Sequence, residues 1–328
     1  MLTLPPFTLH RPATVAEAVA LRADTGGRYI AGGTDLLPNL KQGLDAPKHL
    51  IAVDHLAELH DIAPERGGVR VGAGVTLKEL AGSDLVRGHL PALAEAAGLV
   101  AGPQHRHMGT LGGNVMLDTR CVFLNQTRAW RDALGGCLKA EGDWCHVLGS
   151  AKACVAAQSS DTVPVLVAAN AVVRAETPTG PVEQPIRALY GTDGRLDRLH
   201  HLPAGALVTG VFLPELAPGT RSTYRKVRSR AAVDFPQLSV AALLAIDDDD
   251  RLIALEVVLG ALLPQPRRVR HLDPFLGKPL SDPAVEAIAE HARKQARPQP
   301  QVHSDPNWRR SVVPVEVARA LRSLRRPG

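Results

Sequence analysis

The chain has 328 residues, 45% of them hydrophobic and 22% charged, enough for two or three packed units with cores of their own. The net charge is +5, with many basic residues from Arg267 to Arg326, but aromatics are only 3% and no nucleic-acid-binding motif accompanies the charge, which argues against a nucleic-acid binder. The longest apolar run, near Val163–Val173, is too short for a bilayer and is broken by Pro164 and Asn170; with no signal-peptide pattern at the start, a cytoplasmic location with no membrane contact is expected.

In chain order, Thr14–Ala23 is predicted as a helix, with Thr14 as N-cap and Glu17 at the capping-box position. Arg28–Ile30 predicts a short strand, and the sequence Ala31-Gly32-Gly33-Thr34-Asp35-Leu36 follows at once. His49–Val53 is a second short strand. Gly68–Gly74 alternates Val69, Val71 and Ala73 with Arg70 and Gly72, a strand pattern. Thr76 then caps a helix, with Glu79 completing the capping box, and Leu90–Ala97 is a further helix. This alternation points to α/β or α+β layers.

Gly102–Ser160 differs: it is rich in Gly, Cys, Arg and polar residues and shows little periodicity. A loop this long inside a compact domain implies a function. Thr162–Val173 then reads as helix followed by strand. A third unit begins near Leu216. In it, Gln237–Ile246 and Leu252–Leu259 are apolar runs joined by Asp247–Asp250, which predicts a hairpin with a solvated turn. Ala284–Arg297, with Pro283 at its start, and Val315–Leu324 are predicted helices.

Two glycine loops stand out. Gly32-Gly33 follows a strand and precedes Thr34 and Asp35. Glycine lets backbone N–H groups approach a bulky ligand, and successive N–H groups form a nest for an anion such as a diphosphate. The pattern is not the dinucleotide fingerprint of a Rossmann fold. The second loop, Gly109-Thr110-Leu111-Gly112-Gly113-Asn114, adds Thr110 and Asn114 as hydrogen-bonding groups. Two such loops about eighty residues apart suggest one extended ligand, or two unrelated turns.

All four cysteines, Cys121, Cys137, Cys145 and Cys154, fall within thirty-four residues, spaced C-x15-C-x7-C-x8-C. Four thiolates suit a structural zinc, a [4Fe–4S] cluster or two disulfides. Disulfides need an oxidising compartment. Zinc usually takes tight C-x2–4-C pairs, and none occurs here. His146 reads as an ordinary loop histidine.

AGGTDL at Ala31–Leu36, GTLGGN at Gly109–Asn114 and YRKVRSRAAVDFPQLSVAA at Tyr224–Ala242 resemble the FAD-binding subunits of the xanthine dehydrogenase, or molybdenum hydroxylase, family. The resemblance covers essentially the whole chain. It implies an α+β fold: a two-part FAD-binding domain over residues 1–215, and a smaller C-terminal α+β domain over 216–328. A cysteine-bearing loop insertion falls at about 116–158, ahead of the Ser160-Asp161 pair. The insertion, with LDTRC at Leu117–Cys121, FLNQT at Phe123–Thr127 and Trp130-Arg131, resembles the β subunits of 4-hydroxybenzoyl-CoA reductases within that family, where it carries a [4Fe–4S] cluster.

The resemblance implies site residues as well. FAD would lie against Arg28, Tyr29, Ile30, Ala31, Gly32, Gly33, Thr34 and Asp35, with its diphosphate over Gly32-Gly33-Thr34. Thr110 and Asn114 would grip it from the second loop, and Asp161 would accept a hydrogen bond from the ribose or adenine end. Lys226 would reach the isoalloxazine or phosphate side, and Val100 and Val208 would pack on the flavin. Cys121, Cys137, Cys145 and Cys154 would hold the cluster. The implied partners are a molybdenum-cofactor large subunit, a small subunit with two [2Fe–2S] clusters and a ferredoxin-type electron donor. No substrate-converting residue is expected on this chain. The alternatives are an FAD subunit of another xanthine-, aldehyde- or CO-dehydrogenase-like enzyme, and a zinc-stapled flavin oxidoreductase working alone.

Overall fold

In the computed structural model, which describes residues 2–195, 200–301 and 304–325, the first lobe is a three-stranded parallel sheet. Strands β1 (Thr8–His10), β2 (Arg28–Ile30) and β3 (His49–Ala52) are ordered β1-β3-β2. Parallel neighbours need crossover connections. Helix α1 (Val15–Thr25) makes the first, and the short helix α2 (Leu36–Lys41) lies on the return. The start of α1 follows from its cap: Thr14 Oγ1 accepts from Glu17 N at 3.1 Å. Its stop follows from Gly26, which turns left-handed at φ 65°.

The second lobe is a five-stranded antiparallel sheet in the order β4-β5-β8-β6-β7. Its strands are β4 (Ile62–Glu65), β5 (Gly68–Gly72), β6 (Val172–Thr177), β7 (Gly180–Pro185) and β8 (Leu207–Pro214). Strand β5 ends at Gly72, earlier than Gly74. Between β5 and β6 come α3 (Leu77–Gly82), α4 (Asp84–His89) and α5 (Pro91–Gly98), which pack on the sheet. Thr76 and Glu79 form the expected capping box at the start of α3.

Gly102–Ser160 is less irregular than its composition suggests. It contains α6 (Pro103–Met108), α7 (Leu111–Val115) and α8 (Arg128–Ala133), each too short to show a hydrophobic period. Arg131 on α8 is almost fully buried. It donates to the carbonyls of Gln42, Gly43 and Gln126 and to the Glu141 carboxylate. One side chain thus fastens the cysteine-bearing segment to the first lobe. Helix α9 (Thr162–Ala168) follows and is buried on every side, which accounts for its mostly apolar sequence.

The third unit is a sheet in the order β12-β11-β10-β9, formed by β9 (Arg221–Val227), β10 (Leu238–Ile246), β11 (Leu252–Gly260) and β12 (Arg267–Arg268). Strands β10 and β11 make the expected hairpin. Val240, Ala242 and Leu244 face one core, while Ala241 and Leu243 face the core of the second lobe. Burial of both faces explains a continuous apolar run where a one-sided strand would alternate.

Helices α10 (Asp282–Gln295) and α11 (Pro306–Ser323) cover the outer face. The second begins well before Val315, because Asp305 caps it by accepting from Asn307 N and Trp308 N. The C-terminal basic run is not all solvated surface. Arg309 is fully buried and donates to the carbonyls of Gln237, Gln299 and Ala261. Arg326 lies outside the described residues. Among the described residues, no helix is long and apolar enough to cross a membrane.

Candidate functional site

A cleft of about 640 Å³ opens where the first lobe, the cysteine-bearing segment and the third unit meet, within the range of small-molecule and cofactor sites. All of Arg28–Asp35 lines it, together with Val100, Thr110, Asn114 and Asp161. The two glycine loops, distant in sequence, form adjoining parts of its wall.

The loops touch each other directly, and this accounts for Gly32. A Cβ on Gly32 would lie 1.7 Å from the carbonyl oxygen of Met108, just before the second loop. Beside the phosphate approach that the sequence predicts here, the absence of a side chain accommodates the backbone of the other loop. Gly33 has a different need, a left-handed backbone at φ 68°. Gly112 repeats the close approach, since a Cβ there would lie 2.8 Å from Ala73 Cβ and 2.9 Å from the Ala73 carbonyl oxygen.

Thr110 caps α7 by accepting from Gly113 N at 3.1 Å. Asn114 Oδ1 is fully engaged: it accepts from Ser160 Oγ at 2.6 Å, Thr162 Oγ1 at 2.7 Å and Thr162 N at 3.3 Å. Asn114 therefore ties the second loop to the Ser160-Asp161 turn, and its Nδ2 group remains as donor.

Asp161 lines the cleft yet is almost fully buried. Its carboxylate accepts from Lys226 Nζ at 2.8 Å and Tyr224 Oη at 2.6 Å. Burial pushes the carboxyl up from the ordinary range, while the Lys226 ammonium and the Tyr224 hydroxyl pull it back. Lys226 is buried behind Asp161, and its ammonium also donates to the Leu99 carbonyl at 3.0 Å. It does not line the cleft, and acts on it through Asp161. Val208 is also off the cleft, buried in the core of the second lobe.

Arg120 and Phe235 carried no site role in the sequence. Arg120 donates to Asp35 Oδ1 at 2.6 Å and lies over the Phe235 ring, 4.5 Å from its centroid. One guanidinium thus joins the first lobe, the cysteine-bearing segment and the third unit across the cleft. Burial pushes the Asp35 carboxyl up, opposed first by the Arg120 charge. Both residues sit inside motifs already noted, at LDTRC and DFP, where nothing in the pattern marks them as neighbours.

The four cysteines line a second, small pocket next to the cleft. All are free thiols. Phe123, Val147 and Val155 give the pocket an apolar shell, and Leu148 N donates to Cys145 Sγ at 3.4 Å. Burial pushes the Cys154 thiol up to about 11, and Cys121 upward as well, with Cys137 and Cys145 adding repulsion at Cys121. Thiolates in such a place need a compensating positive charge. His146 is engaged elsewhere: its Nε2 lies 2.7 Å from the Gly136 carbonyl and its ring stacks on Phe123. Among the described residues, no three His, Cys, Asp or Glu side chains stand close enough to share a single metal ion.

Residues 5–216 match the family described as the FAD binding domain in molybdopterin dehydrogenase, and residues 222–324 match the CO dehydrogenase flavoprotein C-terminal domain. The chain belongs to the molybdopterin-dehydrogenase FAD-binding family. This molybdopterin-dehydrogenase flavoprotein is 35% identical over 281 residues to the aldehyde oxidoreductase FAD-binding subunit PaoB of Escherichia coli K12, covering 83% of this chain and 86% of that one. It is 27% identical over 321 residues to the carbon monoxide dehydrogenase medium chain of Hydrogenophaga pseudoflava, covering 97% and 96% of the two chains. A solved structure of that organism's carbon monoxide dehydrogenase matches with a TM-score of 0.80 at 25% identity, over 98% of both chains.

The expected fold, an FAD-binding domain followed by a smaller flavoprotein domain, is therefore borne out. The molybdopterin-dehydrogenase flavoprotein binds FAD, and these relatives are subunits of oxidoreductases.

Arg120→Gln is expected to weaken FAD binding about tenfold. A half-exposed ion pair contributes up to about 1 kcal/mol and the cation–π contact about 0.5–1 kcal/mol, and both hold Asp35 and its glycine loop in place. Fluorescence titration of the apoprotein with FAD measures this, and an unchanged affinity would show that the bridge does not shape the cleft.

Proposed function

We propose that this chain is the FAD and [4Fe–4S] electron-transfer subunit of a cytoplasmic molybdenum-dependent oxidoreductase of the 4-hydroxybenzoyl-CoA reductase kind. In this reading it passes electrons from a ferredoxin-type donor through the cluster and FAD towards a small [2Fe–2S] subunit and a large molybdenum subunit. The observation that carries the reading is the convergence of all four cysteines on one pocket that shares Leu124 and Lys139 with the flavin cleft. Cys121, Cys137, Cys145 and Cys154 are the ligands.

The donor set fits the group. Four thiols free of disulfides, Cys145 and Cys154 buried and Cys121 and Cys137 partly so, stand in an apolar shell and match the usual ligation of a cubane cluster. All four line one pocket, and their wide spacing along the chain lacks the tight pairs that a structural zinc usually takes. When bound, the cluster supplies one-electron chemistry and the flavin accepts or donates two electrons. The protein holds the flavin between the two glycine loops, with Arg28–Asp35, Val100, Thr110, Asn114 and Asp161 around it. Lys226 acts through Asp161, and Val208 stiffens the core behind the wall. That the relatives are FAD-binding subunits and medium chains supports a role within a larger assembly.

The test is a visible spectrum of anaerobically purified protein, with iron, sulfide and zinc analysis. Flavin peaks plus a broad shoulder bleached by dithionite, with iron and sulfide near four per chain, are expected. Flavin peaks without iron would leave a cluster-free subunit of the xanthine, aldehyde or CO dehydrogenase kind. Stoichiometric zinc would instead leave the zinc-stapled flavoprotein.

A further inference from the structure

Lys139 occupies an unusual place. It lies two residues beyond Cys137, and its side chain is only 5% exposed. It lines both the cysteine pocket and the flavin cleft. Its ammonium donates to Asp118 Oδ1 at 2.5 Å, to the Thr119 carbonyl at 3.1 Å and to Thr119 Oγ1. Those contacts use all three ammonium donors, so the charge is held in a fixed position. Asp118 lines the flavin cleft but not the cysteine pocket. The residue that carries the positive charge therefore borders both chambers, and the one that carries the negative charge borders one.

Building on the function proposed above, we infer that Lys139 is a positioning residue that tunes both redox centres, its buried ammonium favouring the reduced state of each. A charge in a shielded wall acts more strongly than one in water. Four thiolates make the cysteine pocket strongly negative, and each added electron increases that burden. A fixed positive charge in the wall offsets it and raises the reduction potential. At the flavin, Asp118 cancels part of the effect, so the cluster is the more sensitive of the two. Lys139 thereby narrows the gap between the cluster and the flavin without touching a reacting atom.

Redox titration of Lys139→Gln, Lys139→Arg and the double variant Asp118→Asn/Lys139→Gln tests this, with the flavin followed by absorbance and the cluster by electron paramagnetic resonance. Lys139→Gln is expected to move both midpoints to more negative values, and Lys139→Arg to keep them near the wild type. In the double variant the flavin midpoint should return towards the wild type while the cluster midpoint stays low. The double variant buries no unpaired carboxylate, so it also serves if the single substitution fails to fold. Wild-type midpoints in both Gln-bearing proteins would overturn the inference. A wild type without a cluster signal would sink the iron–sulfur reading instead, leaving the flavin midpoint to judge Lys139.

Discussion

Replacing any one of Cys121, Cys137, Cys145 or Cys154 with serine is expected to abolish the broad absorbance and most of the iron of the proposed [4Fe–4S] cluster, while FAD stays near one per chain. Serine is a harder ligand whose hydroxyl rarely ionises, so one corner of the group would be left open. FAD should survive because the two glycine loops lie outside the cysteine pocket. The link between the two regions is also independent of the sulfurs: Arg131 holds the segment to the carbonyls of Gln42 and Gly43. Reduction by a ferredoxin-type donor should fail in these variants, whereas a dye that reduces flavin directly should still work. Paired iron and FAD analyses of the four variants decide the matter. Unchanged iron in any of them would remove that cysteine from the ligand set, and parallel loss of FAD in all four would show that the cysteines hold the fold rather than a cluster.

The second large effect is expected at Gly32. Even alanine there brings a Cβ to 1.7 Å from the Met108 carbonyl oxygen, where no side-chain rotation can relieve the collision. The two loops must part, and the cleft between them is the proposed FAD site. Overpacking of this kind costs about 3 kcal/mol, the upper part of its usual range, because backbone has to move. Gly32→Ala is thus expected to lose FAD and to lower the melting temperature of the apoprotein. The second loss separates this account from one in which glycine merely makes room for phosphate; that account leaves the apoprotein's stability intact. Gly82→Ala is the control, since a Cβ at Gly82 meets nothing within 4 Å. A Gly32→Ala protein that melts like the wild type would refute contact between the loops as the reason for the glycine.

Local signals were legible in the sequence because they act over a few residues. The Thr14 cap, the Thr76–Glu79 capping box and the hairpin of β10 and β11 each depend on neighbours close along the chain. The glycine loops and the clustering of cysteines were visible for the same reason. The short helices α6, α7 and α8 escaped notice, since five or six residues cannot display a helical period. Helix α11 starts before its apolar run because Asp305 and Pro306 carry the cap, and the run that predicts the helix begins only at Val315.

What the sequence determined by itself is the alphabet of the site: which loops lack side chains, which residues can ligate metal, and which motifs place the chain in a flavoprotein family. Only the tertiary structure decided what those residues face. Gly32 meets Met108, Asn114 spends its carbonyl oxygen on Ser160 and Thr162, Lys226 stands behind Asp161, and Arg120 spans from Asp35 to Phe235. Each of these contacts joins residues dozens to more than a hundred positions apart. Their existence depends on how the lobes pack, and a one-dimensional pattern carries residue type and spacing but not the direction in which a buried group points.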